Sequence, residues 1–162
     1  MILIRKLARR DYPQLLDLAL EFFKSNQRIH VSKKLSTLIK YKNYDKQIRA
    51  DVQRYMGLDT NEAIIFVAED QKKLVVYIFG RIIKRPQRVK RRIGFIEDWF
   101  IKNGYRNMGT GKLLWDRLIN WFRKKRCDAL ELDSYPANKK AIALYHKLGF
   151  IDKAIVLIKN MD

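Results

Sequence analysis

The most informative stretch of this chain is GFIEDWFIKNGYRNMGTGKLL, residues 94–114. Bulky apolar and aromatic residues surround two acids, Glu97 and Asp98, which predicts a strand with charge at its centre. A turn at residues 102–104 and a glycine-containing loop then lead into a helix with apolar periodicity. This order directs unpaired backbone N–H groups and the positive end of a helix towards one spot, which predicts a phosphate-binding site.

The loop completes neither of two common phosphate-binding motifs. A Walker A loop requires Lys directly after its second glycine, whereas Thr110 follows Gly109. The dinucleotide-binding fingerprint requires a third glycine or alanine, and Leu114 occupies that position. The pattern that remains is Arg-x-x-Gly-x-Gly, from Arg106 to Gly111. A tight turn that simply opens a helix is the alternative interpretation of the two glycines.

Composition limits the class of protein. A chain of 162 residues with 48% hydrophobic residues predicts one folded domain over residues 1–162 and excludes wholesale disorder. The apolar runs are too short for a membrane span, and the N-terminus does not read as a signal peptide. A single cysteine, Cys127, suits the reducing cytoplasm. Two histidines and this cysteine, widely separated, predict no metal site.

Hydrophobic periodicity predicts alternating strands and helices along the chain. The predicted strands are residues 2–7, 63–68, 73–83, 93–101, 129–134 and 150–159. The predicted helices are a segment capped by Asp11, then residues 31–56, 109–126 and 137–148. The order β-α-α-β-β-β-α-β-α-β predicts a mixed α/β (α+β) sandwich with helices packed on a sheet.

A second motif, NKKAIALYHKLGF at residues 138–150, follows the predicted fifth strand. With the Arg-x-x-Gly-x-Gly loop and the acidic strand before it, this segment resembles the GCN5-related N-acetyltransferase (GNAT) superfamily over residues 94–150. The N-terminal half agrees in element order only. The resemblance implies the GNAT fold, in which a mixed central sheet splays open at the acetyl-CoA site between flanking helices. Acetyl-CoA is then the expected cofactor.

The resemblance also implies a set of cofactor-binding residues. The main chain of Phe100 and Ile101 would bind the pantetheine arm. The loop would hold the pyrophosphate, Arg106 would add positive charge, and Asn138 would both cap its helix and contact the cofactor. The loop residues are Met108, Gly109, Thr110, Gly111 and Lys112.

Two further residues receive catalytic roles by the same resemblance. Tyr145 would protonate the departing thiolate, and Glu97 would act as general base. Because neighbouring strand residues point to opposite faces, Asp98 is expected to bind the acceptor or substitute for Glu97. The alternative interpretations are a core aromatic at Tyr145, and two acids that only neutralise the nearby cations Arg91 and Arg92.

The predicted function is transfer of an acetyl group from acetyl-CoA to a primary amine by direct attack. The acceptor could be a small amine or a protein amino group. The net charge of +18 concentrates in residues 28–49, 81–92 and 123–126. The resemblance implies that residues 22–56 and 81–92 determine the acceptor. Their charge disfavours a polycationic acceptor, unless an acidic pocket is hidden among Glu21, Asp45, Asp51 and Glu97. It favours an amine attached to an anionic group, or a protein amino group on an acidic partner or ribonucleoprotein. A homodimer is expected by resemblance only.

The same charge leaves a second class of function open. A basic GNAT-fold module could bind nucleic acid or an acidic partner with little catalysis. No nucleic-acid-binding motif is evident, and both catalytic candidates are present. A solvated surface that only keeps the protein soluble is the simplest interpretation of the charge.

Overall fold

The computed structural model describes residues 1–161, except for the side chains of residues 28–30. Asp162 and those three side chains, which belong to the predicted basic region 28–49, lie outside the described part. The strands are β1 (Leu3–Lys6), β2 (Ala63–Asp70), β3 (Lys73–Lys84), β4 (Arg92–Ile101) and β5 (Ala129–Leu132). The helices are α1 (Tyr12–His30), α2 (Lys33–Ile39), α3 (Tyr44–Met56), α4 (Thr110–Lys124) and α5 (Lys139–Lys147).

The described strands form one sheet in the order β1-β2-β3-β4-β5. The first four pair antiparallel with their neighbours, and β5 pairs parallel with β4. One face packs against α1 and α3, and the opposite face packs against α4. We call these the α1 face and the α4 face. This arrangement confirms the predicted mixed sheet with flanking helices.

The parallel pair β4 and β5 is short. β5 pairs only with residues Ile93–Ile96, while β4 continues to Ile101. The second half of β4 therefore has one edge that no described strand covers. Helices α4 and α5 follow β4 and β5, so both begin at the carboxyl end of this parallel pair.

The prediction of a last strand at residues 150–159 is wrong. In the described chain, residues 150–161 belong to neither a helix nor a strand, and residues 151–161 are all exposed. An apolar, β-branched composition favours an extended chain, but a strand also requires a neighbour for its backbone hydrogen bonds. Within residues 1–161 this segment pairs with no strand.

The predicted helical region 31–56 is two helices. Ser32 Oγ accepts a hydrogen bond from the Leu35 amide at 3.1 Å and caps α2. Asn43 Oδ1 accepts one from the Lys46 amide at 2.9 Å and caps α3. Two N-cap residues within one predicted helix mark the break between α2 and α3.

Asp11 lies at the start of α1 but its side chain does not cap that helix. The carboxylate accepts bonds from Arg5 Nη1 at 2.6 Å and from the Ala8 amide at 2.7 Å. The Arg5 guanidinium holds the pKa of this buried acid below its usual range. Asp11 therefore ties β1 to the 3-10 turn Arg9–Asp11 that precedes α1.

No helix within residues 1–161 is long and apolar enough to cross a membrane.

Candidate active site

The glycine loop and the start of α4 form the predicted phosphate site. Gly109 adopts a left-handed conformation with φ of 78°, which favours glycine, and is the N-cap residue of α4. The first bond of the helix runs from the Leu113 amide to the Gly109 carbonyl at 3.1 Å. The amides of Thr110, Gly111 and Lys112 precede that bond and point out of the helix end. They form a concentrated set of donors for an anion.

The second glycine has a packing role. A Cβ atom at Gly111 would meet Ile101 Cδ1 and would lie 3.6 Å from the Trp99 ring. A side chain at this position would force Ile101 to move where α4 begins close to β4. The two glycines thus serve different purposes, one for backbone conformation and one for close approach.

The charged residues of the loop already have partners within the chain. Arg106 Nε donates to the Ile101 carbonyl at 3.2 Å, and Lys112 Nζ lies 2.7 Å from Asp116 Oδ2. Arg106, Lys112 and Met108 are exposed, whereas Ile101 and Asp116 are half-buried. The predicted phosphate-binding residues therefore lie together around the start of α4, but Thr110 and Gly111 are buried there.

A β-bulge in β4 changes the expected geometry of the two acids. Phe79 of β3 pairs with Asp98, but the next residue, Gly80, pairs with Ile96. Glu97 is the extra residue and interrupts the alternation of side chains. Asp98 accepts a bond from Tyr77 Oη at 3.3 Å, and Glu97 is ion-paired with Arg81.

Tyr77 and Arg81 lie four residues apart on β3 and share its α1 face. The expectation that Glu97 and Asp98 point to opposite faces is therefore wrong. The bulge turns both carboxylates to the α1 face. The cation that pairs with Glu97 is Arg81, not the cluster of Arg91 and Arg92.

Asp98 has an unusual electrostatic environment. Its side chain is buried, and burial together with the neighbouring charge of Glu97 raises its pKa to about 7. The bond from Tyr77 acts in the opposite direction and lowers the pKa of Asp98. Such an acid exchanges a proton near neutral pH, which is the property required of a general base.

A third acid approaches from α3. The charge of Asp51 contributes to the raised pKa of Asp98. The pKa of Tyr55 is raised first by burial and then by the charges of Asp98, Asp51 and Glu97. Asp51, Glu97 and Asp98 thus form an acidic patch beside Tyr55. The sequence indicated Asp51 only as a possible member of a hidden acidic pocket, and sequence reasoning missed Tyr55 and Tyr77. The packing of α3 on the sheet brings Asp51 and Tyr55 towards β4, and the pairing of β3 with β4 brings Tyr77 there.

Tyr145 connects to β4 through a row of aromatic rings. Its ring lies 6.1 Å from that of Phe150, which lies 6.0 Å from Trp115. Trp115 stacks on Trp99 of β4 at 5.0 Å. Tyr145 is half-buried, and burial raises the pKa of its hydroxyl above the usual range. The Trp99 indole N–H is buried without a hydrogen-bond partner among the described residues.

The remaining predicted cofactor residues lie around the same strand. Phe100 is buried on the α1 face, whereas half-buried Ile101 packs towards α4. Their main chains face β3 on one side, opposite Tyr77 and Val76. Asn138 Oδ1 accepts a bond from the Ala141 amide at 3.4 Å, so its capping role is confirmed.

A cavity of about 600 Å³ lies between α1, α2 and α3. Its lining includes three lysines, Lys24, Lys33 and Lys40, together with Tyr41 and Tyr44. We call it the lysine pocket. All of its lining residues lie within residues 24–44, which overlap the basic region 28–49 seen in the sequence.

The lysine pocket adjoins the interior of the α1 face. The Tyr44 hydroxyl is buried without a hydrogen-bond partner among the described residues, and burial raises its pKa. The charge of Tyr44 also contributes to the raised pKa of Tyr77, which binds Asp98. The charges of these two tyrosines therefore influence each other within the α1 face.

Comparisons with known proteins agree with this architecture. A model of the acetyltransferase (GNAT) family matches residues 30–150. The chain is 33% identical over 101 residues to the glucosamine 6-phosphate N-acetyltransferase of Trypanosoma brucei brucei, which covers 62% of this chain and 65% of that protein. The chain therefore spans less than two thirds of the length of this relative.

Two solved structures show the same fold. The glucosamine-6-phosphate N-acetyltransferase of Arabidopsis thaliana superposes with a TM-score of 0.67 at 21% identity, covering 100% of this chain and 99% of that one. A predicted acetyltransferase from Clostridium acetobutylicum, solved with acetyl-CoA, gives a TM-score of 0.74 at 18% identity, covering 99% and 97%. The family model covers most of the chain, and the chain belongs to the GNAT family of acetyltransferases.

Proposed function

We propose that this protein transfers an acetyl group from acetyl-CoA to a primary amine by direct attack. Three features near the carboxyl end of β4 support this proposal. The pairing of β4 with β5 ends at Ile96, the glycine loop leads from β4 into α4, and α5, which carries Tyr145, follows β5. Ligands of α/β proteins bind at such an edge.

The residues at this edge fit the chemical groups of acetyl-CoA. The amides of Thr110, Gly111 and Lys112 would hold the pyrophosphate, and the exposed cations Arg106 and Lys112 would add charge. The uncovered edge of β4 near Phe100 and Ile101 would offer backbone groups to the amides of the pantetheine arm. Met108 and Asn138 would also contact the cofactor. When bound, acetyl-CoA supplies the activated thioester.

Asp98 is the proposed proton acceptor for the attacking amine. Its pKa of about 7 lets it take a proton at neutral pH, whereas Glu97 is already ion-paired with Arg81. Glu97 and Asp51, which pair with Arg81 and Arg54, would add negative charge near the ammonium form of the acceptor. This assignment exchanges the two roles expected from the resemblance alone.

Tyr145 is the proposed proton donor to the departing sulfur. Its raised pKa keeps the hydroxyl protonated at neutral pH, as a general acid requires. The row of rings from Tyr145 to Trp99 fixes α5 relative to β4. A hydroxyl on this row can therefore be held at a constant position beside the uncovered edge.

The proposed acceptor is an amine that also carries an anionic group. The acidic patch suits the ammonium end, and the three lysines with the Tyr44 hydroxyl suit the anionic end. A sugar phosphate with an amino group has both ends. The relative from Trypanosoma is named for acetylating glucosamine 6-phosphate, which makes that compound the first acceptor to test.

The test measures release of coenzyme A with glucosamine 6-phosphate and with glucosamine. We expect the phosphorylated sugar to be preferred, and initial rates to follow a sequential rather than a ping-pong pattern. Lys33→Ala should raise KM for the phosphorylated sugar about 10-fold, since a hydrogen bond to a charged group contributes about 1.5–3 kcal/mol.

Lys34→Ala is the matched control, because Lys34 is the next residue of α2 but does not line the lysine pocket. It should leave KM unchanged. Equal KM values for the two variants, or equal use of the two sugars, would contradict the proposed anionic subsite. Ping-pong kinetics would contradict direct attack.

A further inference from the structure

Two basic segments that are distant in the sequence meet at one end of the sheet. One is the turn between β3 and β4, and the other is the end of α4 with the turn that follows it. β4 and β5 pair in parallel from Ile93 and Ala129 onward, so the residues just before each strand lie side by side. We call the surface formed by residues 84–92 and 123–126 the basic end.

Hydrogen bonds hold the two segments of the basic end together. The Asp128 amide donates to the Arg92 carbonyl at 2.7 Å, and Arg92 Nε donates to the Lys125 carbonyl at 2.7 Å. Within the β3–β4 turn, the Arg85 amide donates to the Arg91 carbonyl at 2.6 Å. The backbones of the turn and of the helix end therefore keep a fixed position relative to each other.

Most exposed cations of the basic end are free of internal acids. Five of them form no ion pair within the described part of the chain, namely Lys90, Arg91, Arg123, Lys124 and Arg126. Two of the five lie in the last turn of α4, where cations stabilise the helix dipole. The other three lie outside the helix, where their mutual repulsion has no such compensation. An anionic ligand would supply it.

The composition of the basic end fits a nucleic acid better than a protein partner. Val89 is its one large exposed apolar side chain among the described residues, whereas protein interfaces have an apolar core of several side chains. Interfaces with nucleic acid are polar and strongly positive. Proteins that bind single strands stack bases on aromatic rings, and residues 84–92 and 123–126 contain none. The phosphate backbone of a duplex is the ligand that remains.

The basic end lies far from the candidate active site. β4 runs for 10 residues from the basic end towards the glycine loop, which is about 30 Å at the usual rise of a strand. α4 returns from the glycine loop over 15 residues, or about 22 Å at the rise of an α-helix. A ligand on the basic end therefore leaves the glycine loop accessible.

We propose that the basic end binds the phosphate backbone of a double-stranded nucleic acid, in addition to the chemistry at the opposite end of the molecule. Such binding depends on charge and not on base sequence. It would hold the enzyme on a nucleic acid while the active site stays open to its substrates. Duplex binding does not depend on the proposed acetyl transfer, since its measurement requires no acetyl-CoA.

The first test measures binding of a short, fluorescent DNA duplex to the full chain by anisotropy at several salt concentrations. One variant combines Lys90→Glu with Arg91→Glu in the turn, and a second combines Lys124→Glu with Arg126→Glu at the end of α4. Each should bind the duplex at least about 10-fold more weakly than the wild type. Each should also reduce the salt dependence by about two phosphate contacts, because one contact is lost with each cation.

Lys46→Glu with Arg49→Glu is the matched control. It makes the same change in charge at exposed positions of α3, which packs on the opposite face of the sheet from α4. Binding should weaken by less than about 3-fold, because salt screens charges that are far from the duplex. An equal loss in all three variants would show that net charge alone attracts the duplex, and would overturn the proposal. Unchanged binding by both basic-end variants would do the same.

The second test distinguishes the basic end from the glycine loop and from other anionic partners. Saturating acetyl-CoA should leave duplex affinity unchanged, and both basic-end variants should bind acetyl-CoA as the wild type does. Competition between acetyl-CoA and the duplex would place the duplex at the glycine loop and overturn the proposal. Tighter binding of phosphatidylserine vesicles or of polyglutamate than of the duplex, at equal anionic charge, would overturn it in favour of a membrane or an acidic protein.

Discussion

At the scale of single residues, Asp98 is the most distinctive group in the protein. It is a buried acid with a pKa of about 7, set by burial and Glu97 and opposed by Tyr77. A base works only when deprotonated, so acetyl transfer should rise with pH through the pKa of Asp98. Asp98→Asn should remove this rise and lower kcat roughly 100-fold.

Two neighbours of Asp98 should move the midpoint of this pH–rate profile in opposite directions. Glu97→Gln removes a negative charge that raises the pKa of Asp98, so the midpoint should fall. Tyr77→Phe removes a bond that lowers it, so the midpoint should rise. Rates measured from pH 5.5 to 9 with one acceptor check this, since the ionisation of the acceptor is common to all variants. Midpoints that do not separate would exclude Asp98 as the base.

Tyr145 gives a second prediction at this scale. Tyr145→Phe removes only the hydroxyl and keeps the ring that packs on Phe150. We expect kcat to fall by about 100-fold while the melting temperature and acetyl-CoA affinity stay the same. Phe150→Leu, which disturbs the ring row without removing a proton donor, serves as the comparison. An unchanged kcat in Tyr145→Phe would show that Tyr145 contributes packing but is not the proton donor.

At the scale of elements, the close contact of α4 with the sheet depends on small residues in the strands. A Cβ atom at Gly94 of β4 would lie 2.7 Å from the Phe122 ring and 2.8 Å from Leu130 Cδ2. Gly94→Ala should therefore destabilise the fold by about 1–3 kcal/mol, the usual cost of overpacking a core.

Gly57→Ala is the control, because a Cβ there would meet nothing closer than 3.6 Å. It should change the free energy of unfolding by less than about 1 kcal/mol. Urea denaturation of both variants measures the difference. Equal stabilities would show that α4 can move away from β4 without cost.

Element order could be predicted from the sequence because strands and helices leave different hydrophobic periods. The helix at residues 109–126 and the strands at 63–68 and 93–101 correspond closely to α4, β2 and β4. The break between α2 and α3 was visible in principle, since Ser32 and Asn43 are both good N-cap residues. The lack of a strand at residues 150–159 was not visible, because periodicity predicts an extended chain and says nothing about which sheet edge is available.

The site was predictable only in part. Motifs located the glycine loop, Asn138 and Tyr145, because their spacing along the chain is the signal. The bulge at Glu97 has no such signal, since it depends on how β3 and β4 pair. The approach of Asp51 and Tyr77 to Asp98 and the shape of the lysine pocket depend on which elements pack together, so the sequence pointed to the region but not to the arrangement.

At the scale of the whole molecule, the charge of +18 is partly organised by internal ion pairs. Arg85, Arg88 and Lys153 all pair with Glu131, at 2.8, 3.5 and 2.7 Å. Asp128 accepts bonds from the amides of Arg91 and Arg92 at 2.9 and 2.8 Å. The basic turn after β3 is therefore anchored to the start and body of β5. The remaining charge favours encounter with anionic ligands of any class.

Attraction of anionic ligands by the basic surface does not distinguish an enzyme from a binding module. Binding of acetyl-CoA at the glycine loop does distinguish them. Gly109 and Gly104 belong to the same loop, have φ of 78° and 89°, and both have open space around an added Cβ. An aspartate therefore brings the same strain and the same charge at either position. Only at Gly109 would the carboxylate lie beside the amides that open α4.

The most direct measurement is calorimetric titration with acetyl-CoA of the wild type, Gly109→Asp and Gly104→Asp. We expect micromolar binding by the wild type and Gly104→Asp, with at least about 100-fold weaker binding by folded Gly109→Asp, since several charge-assisted bonds are replaced by repulsion. Equal affinities of the two variants would contradict the phosphate site. Binding of a short nucleic-acid duplex, but not of acetyl-CoA, by the wild type would contradict the acetyltransferase function itself.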